Sequence, residues 1–181
     1  MNNIDTSQGP PMSDYIIVSN PVVEFSDNKM PSHDETIANN REIIQSAAEA
    51  LQAMILSGEL KEAECPVVHR FADGVYLREI FMPKGTRIIG KIHATEHFNV
   101  LLTGKVTVIT AEGTEHIEAP YTFISKAGVQ KVVIIHEDCT WQTLHVTDKT
   151  DLKEIEKEVI VESYDQLLVD GLLNQAKGIE L

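Results

Sequence analysis

The sequence predicts a mainly β protein: an antiparallel β-barrel or sandwich preceded by an arm and a helix and followed by acidic helices. Three observations carry this. Between Pro66 and Thr147, short runs rich in Val, Ile, Thr, Phe and Tyr alternate with turn residues at close spacing. Ahead of them Ile37, Ile44, Ala47, Ala48, Leu51, Met54 and Ile55 recur at helical intervals. Behind them helical patterning returns in an acidic segment.

Taken in order, residues 1–31 are rich in Asn, Ser, Asp and Pro, with apolar patches at 15–18 and 22–23. They read as an arm, partly extended, that pairs with another strand or subunit. Residues 32–58 read as an amphipathic helix, capped by Ser32 or Asp34 and stopped by Gly58. Residues 63–148 form the β domain. Its strands are predicted at 67–71, 75–82, 87–92, 98–102, 105–110, 121–125, 131–135 and 140–146, broken by segments such as Ala72-Asp73-Gly74 and Pro83-Lys84-Gly85. Residues 150–181 are a helical extension. Thr150 caps a helix that starts at Asp151, and a second amphipathic segment covers 164–176 through Leu167, Leu168, Leu172 and Leu173.

A chain of 181 residues suits one domain with extensions, and 43% apolar content is enough to bury a core. No apolar run nears the roughly 18 residues of a membrane span, so none is expected. The opening MNNIDTSQGPPMSDY lacks the basic and apolar regions of a secretory signal. Two cysteines, Cys65 and Cys139, make no disulfide framework and are expected as reduced thiols. A net charge of −13 argues against nucleic acid and anionic membranes as partners. From Met82 to Ile135 six basic residues face four acidic ones, so that stretch is +2 and the rest carries −15.

The stretch GKIHATEHFNVLLTG, residues 90–104, holds His93 and His97 four residues apart. On a helix that spacing suggests a zinc pair, but its neighbours on both sides are β-rich. The spacing therefore spans two strands, or a strand and a bend. Its frame runs Gly85, five residues, Lys91-Ile92-His93, three residues, His97, six residues, Gly104. This resembles the first motif of the cupin superfamily, with both glycines and every interval matched. Lys126-Ala127-Gly128-Val129-Gln130-Lys131 is similar to the second. The resemblance covers about residues 66–147 and implies a cupin-like antiparallel barrel, commonly paired into homo-oligomers. It also implies four metal-binding positions, of which His93 alone keeps its usual residue. Lys91 and Lys131 stand where histidines are usual, and His97 stands where glutamate is usual. A protonated lysine donates hydrogen bonds and does not ligate a metal.

Strand alternation gives an independent reading. Residues 91 and 93 share a face, as do 97, 99 and 101, and 131, 133 and 135. On the last strand Trp141, Thr143 and His145 share one face. With that face inward, His145 joins His93 and His97 as a third ligand. Three neutral imidazoles and a water suit zinc, iron, manganese, nickel or copper, without choosing among these divalent transition metals. Asn99, Thr143 and Glu79 are placed to orient an imidazole. Two other readings stand beside this one. Lys91 and Lys131, with Arg78 or Arg87 nearby, can hold a carboxylate or phosphate; without an anion they need a buried carboxylate such as Glu79. Alternatively, the histidines are satisfied core or rim residues and no metal binds.

Elsewhere His69, His116 and His136 read as surface residues, and Cys139 as a small buried hydrophobe. His33-Asp34-Glu35 reads as a helix start, where acidic residues suit the dipole. No phosphate-cradling glycine loop and no G-x-S-x-G elbow occurs. Lys-x-His-x-x-x-His, Ser125-Lys126-x-Gly and Trp-x-Thr-x-His, over roughly residues 63–160, also look similar to small proteins of tailed bacteriophages, a less specific likeness. It implies a virion-associated or infection-related role, phage structural proteins as partners, and a place in the host cytoplasm or the virion.

Two function classes follow. The first is a cupin-like pocket for a metal ion or a small anionic ligand, working on a small acid or sugar with a histidine or Glu79 as base. The second is a non-catalytic structural module that uses the barrel as a scaffold, as one fold serves many functions.

Overall fold

The computed structural model describes residues 32–166 and the backbone of Tyr15 and Ile16. Helix α1 spans His33–Leu56. Ser32 starts it with a capping box: its hydroxyl accepts from the Glu35 amide at 3.3 Å, and the Glu35 carboxylate accepts from the Ser32 amide at 2.8 Å. His33-Asp34-Glu35 is thus a helix start. Gly58, at φ 80°, follows the Ser57 C-cap in the left-handed conformation that ends helices.

The strands are β1 (Tyr15–Ile16), β2 (Val67–Ala72), β3 (Val75–Met82), β4 (Arg87–Gly90), β5 (Ile92–His93) and β6 (His97–Thr103). They continue with β7 (Lys105–Thr110), β8 (Gly113–Glu118), β9 (Tyr121–Ser125), β10 (Val132–Ile135), β11 (Cys139–Val146) and β12 (Ile160–Val161); α2 (Leu152–Val159) precedes β12. One sheet has the order β1-β4-β10-β7-β8 and the other β2-β3-β11-β6-β9. Every pairing is antiparallel. The two sheets pack through one apolar core drawn from both, including Ile80, Leu101 and Trp141 from one and Ile88, Val106 and Ile135 from the other. Among the described residues no ladder joins them, so the fold is an open β-sandwich rather than a hydrogen-bonded closed barrel. Helix α1 covers the outer face of the first sheet, where Ile44 and Leu51 meet Ile89.

Several boundaries differ from the sequence reading. The run expected at 87–92 breaks at Lys91, and Ile92–His93 turns away to pair with Val161 and Ile160. Strand β8 was not expected: only Ile117 in it is buried, so its apolar signal is one residue long. Asp151, not Thr150, caps α2, its carboxylate accepting from the Lys153 and Glu154 amides at 3.0 Å. Of the expected arm only Tyr15–Ile16, an edge strand beside β4, is described. Most of the expected helix at 164–176 lies outside the described residues.

Gly104 closes one end of the sandwich. It links β6 to β7 at φ +91°, and a Cβ there would lie 2.5 Å from the Asp138 carbonyl oxygen and 2.7 Å from the Cys139 Cβ. Only glycine combines that backbone conformation with that approach. No described helix is long and apolar enough to cross a membrane.

Candidate functional site

Period-two alternation places the site. Along β11 the inward side chains run Cys139, Trp141, Thr143, His145; along β6 they run Leu101, Asn99, His97. Lys131, Val133 and Ile135 form the facing row of the first sheet, and Met82, Ile80, Arg78 and Tyr76 that of β3. Each row passes from apolar to polar in the same direction, so the polar ends converge on one cavity of about 130 Å³. Helix α2 roofs it with Leu152, Ile155 and Val159.

At its centre stand three imidazoles. The ring centroids of His93 and His97 are 4.2 Å apart, those of His97 and His145 4.8 Å, and those of His93 and His145 5.3 Å. One nitrogen from each lies within 4.8 Å of one from the others. His93 Nδ1, His97 Nε2 and His145 Nδ1 are buried with no hydrogen-bond partner. His97 Nδ1 lies 3.1 Å from the Thr95 carbonyl, which can only accept, so that nitrogen carries the proton and Nε2 holds the lone pair.

The electrostatics keep all three rings neutral. Burial, aided by the Lys131 charge and opposed by the Thr95 hydrogen bond, pushes His97 down to about 4. Burial, then the His97, Lys131 and Arg78 charges, pushes His145 down to about 3. Burial and the same neighbours hold His93 well below the usual histidine range. Neutral imidazole is the metal-binding form, and three buried orphan nitrogens are otherwise costly. The donor set therefore fits a transition metal. His93, His97 and His145 would be the residues to hold it, each through one imidazole nitrogen.

Lys131 is 8% exposed, and burial pushes its ammonium down to about 8. Among the described residues none forms an ion pair or side-chain hydrogen bond with it. Lys91 lies at the rim, where its ammonium pairs with Glu156 of α2 at 2.5 Å. Arg78 lines the cavity and Arg87 does not.

Other expected positions separate. Glu79 points to the opposite face of its strand, where it accepts from Gln142 at 2.5 Å and from Arg70 at 3.3 Å. It neither orients an imidazole nor neutralises a pocket lysine, because residue 79 is out of phase with the inward 78 and 80. Asn99 and Trp141 do lie inside, but Asn99 accepts from the Trp141 indole N–H at 3.2 Å and donates to Ser125 at 3.0 Å. It fixes the indole, not an imidazole. Thr143 lines the cavity.

His69 is not a plain surface residue: it lines the cavity, with Nδ1 2.7 Å from the Tyr76 hydroxyl. His116 and His136 are exposed and share the Thr107 hydroxyl at 2.8 and 2.6 Å. Cys139 is wholly buried, which pushes its thiol up to about 12. Sequence reasoning missed Glu156 and the α2 roof; the apolar i, i+4 pair Ile155 and Val159 was the available signal.

No family model and no curated protein matches the sequence. Similar solved structures include a cupin superfamily protein from Desulfitobacterium hafniense, 9% identical with a TM-score of 0.42 over 49% of this chain and 83% of that one. A cupin domain from Bordetella pertussis is 18% identical with a TM-score of 0.40, covering 49% of this chain and 98% of that one. A predicted oxalate decarboxylase from Thermotoga maritima is 11% identical with a TM-score of 0.41, covering 48% and 84%. At that level of similarity the site's chemistry rests on its own geometry.

Proposed function

We propose that the pocket binds a divalent transition metal on His93, His97 and His145, with a small anionic ligand held beside it by Lys131. What carries the reading is the convergence of three buried, partnerless imidazole nitrogens from two parts of the chain. All-nitrogen ligation favours zinc, iron, nickel or copper over manganese, magnesium and calcium, which prefer oxygen. Such a metal, once bound, supplies a Lewis acid that polarises an oxygen of the ligand. The chain's own residues do the rest. The Thr95 carbonyl fixes the His97 tautomer, the Asn99–Trp141 bond braces the wall, and α2 covers one side of the cavity with apolar side chains. The scaffold alternative and a role in a phage particle gain no support from any feature of the site.

Elemental analysis of protein expressed with ample metal is the direct test. One equivalent per chain is expected, and the His97→Ala variant is expected to lose it. A parent protein with no stoichiometric metal overturns the metal reading.

A further inference from the structure

The lining of the pocket narrows the anion further. Among the described residues Lys131 is a buried cation facing no carboxylate, in a chain whose net charge is −13. A buried charge of this kind calls for an opposite charge from a ligand. The Lys91 ammonium is already matched by Glu156. The first amides of α2 already donate to Asp151, so no helix start is open to a phosphate. Arg78, the other cation of the lining, already has an interaction of its own, so the site suits a single negative charge on Lys131.

The rest of the lining disfavours a sugar. A polyol needs several polar partners, yet most of those present, Thr143 excepted, are engaged with one another. The Asn99 amide is bonded at both ends, the Trp141 N–H is used, and the Tyr76 hydroxyl meets His69. What remains around Lys131 is largely apolar: Ile80, Met82, Ile88 and Val133. By the same measure one water needs roughly 10–15 Å³, so a cavity of about 130 Å³ takes a compact molecule.

We infer that the pocket takes a small monocarboxylate with an apolar body, its carboxylate on Lys131 and its carbon chain against Ile80, Met82, Ile88 and Val133. The inference rests on the proposed function for its location, but the Lys131 contact does not require the metal.

The experiment uses the full chain, both stripped with EDTA and loaded with zinc. Binding is read by calorimetry and by fluorescence of Trp141, the one tryptophan of the chain, which lines the same cavity. The probes are isovalerate, its neutral counterpart isovaleramide, inorganic phosphate and glucose. Saturable binding of isovalerate is expected, with the other three weaker by at least about tenfold. Lys131→Met is expected to lose about tenfold or more in isovalerate affinity, and Lys131→Arg to retain part of it. Thermal unfolding of Lys131→Met shows that it is folded, since a buried charge without a partner is being removed.

Isovalerate binding no better than isovaleramide, or unchanged in Lys131→Met, overturns the inference. So does no binding in either form, or tighter binding of phosphate or glucose. The two readings fail separately: zinc bound without isovalerate sinks this inference alone, and isovalerate bound by a protein that takes no metal sinks the metal centre alone.

Discussion

The two ends of the sandwich are built from the same strands and hold opposite chemistry. At the Gly104 end, Leu101, Val106, Ile135 and Cys139 pack without a polar side chain between them. Two or three inward positions further along, the same rows present His97, Lys131 and His145. Antiparallel pairing runs through both ends, and the register shift between Thr140 and Trp141 lies toward the sealed one, so more regular hydrogen bonding is not what sets that end apart. The difference is that the sealed end gains stability from burial, whereas the open end holds neutral imidazoles and an ammonium at a cost. A fold bears such a cost where a ligand repays it.

The sealed end should give the largest effects. Leu101 is 0% exposed, and Leu101→Ala should cost about 3–5 kcal/mol, read by denaturant unfolding. Gly104→Ala should cost about as much. It forces a Cβ against the Asp138 carbonyl and a side-chain-bearing residue into positive φ, each worth roughly 1–3 kcal/mol. An unchanged midpoint for either would mean that this end is not the anchor.

Acid should act first on the open end. In the metal-free protein His97 and His145 titrate near 4 and 3, whereas unfolded histidines titrate near 6.5. Above pH 6.5 both states are neutral and nothing changes. Below it the unfolded chain takes up protons that the native site refuses, so stability falls with falling pH until the folded values are reached. Two groups give a slope of roughly 2–3 kcal/mol per pH unit from about one unit below 6.5, and His93, also held low by burial, steepens it. The same scan on a His97→Leu/His145→Leu variant should be flatter, and equal slopes would contradict the placement of these rings.

The contrast between the ends was partly legible in the sequence. Period two alone placed His97, Asn99 and Leu101 on one face and Trp141, Thr143 and His145 on another, and both faces point inward. The same rule, applied to β3, would have put Arg78 inside and Glu79 outside; Glu79 entered the expectation as a charge partner, ahead of its phase. The pairing of Lys91 with Glu156 was not legible, because 65 residues separate them and nothing local specifies where α2 returns. Nor was β8, whose single buried side chain leaves no alternating signal.

Lys131 gives a smaller effect of the opposite sign. Its ammonium titrates near 8 in the fold against 10.5 in the open. Below pH 8 both states are charged and the native state bears the full cost; between 8 and 10.5 that cost fades as the folded lysine loses its proton. Lys131→Met, of similar length and apolar, should therefore stabilise the protein by about 2 kcal/mol at pH 7, with the gain shrinking toward pH 10.5. A destabilised variant would mean that the ammonium is satisfied in place.

The rim should give the smallest effect. Lys91 and Glu156 are each 31% exposed, so their attraction is screened by water and salt. A double-mutant cycle of Lys91→Met and Glu156→Gln should return a coupling below about 1 kcal/mol that falls as salt is raised. Helix α2 should stay docked in both variants, because Ile155, 2% exposed, and Val159 pack on Tyr76. Its backbone is also tied to the segment that follows His93, the Ala94 amide donating to the Val159 carbonyl at 2.8 Å. Ile155→Ala should accordingly cost about 2–4 kcal/mol and, by loosening the segment paired with His93, weaken zinc binding. A roof held by its charges would reverse that order, with Glu156→Gln the more damaging of the two.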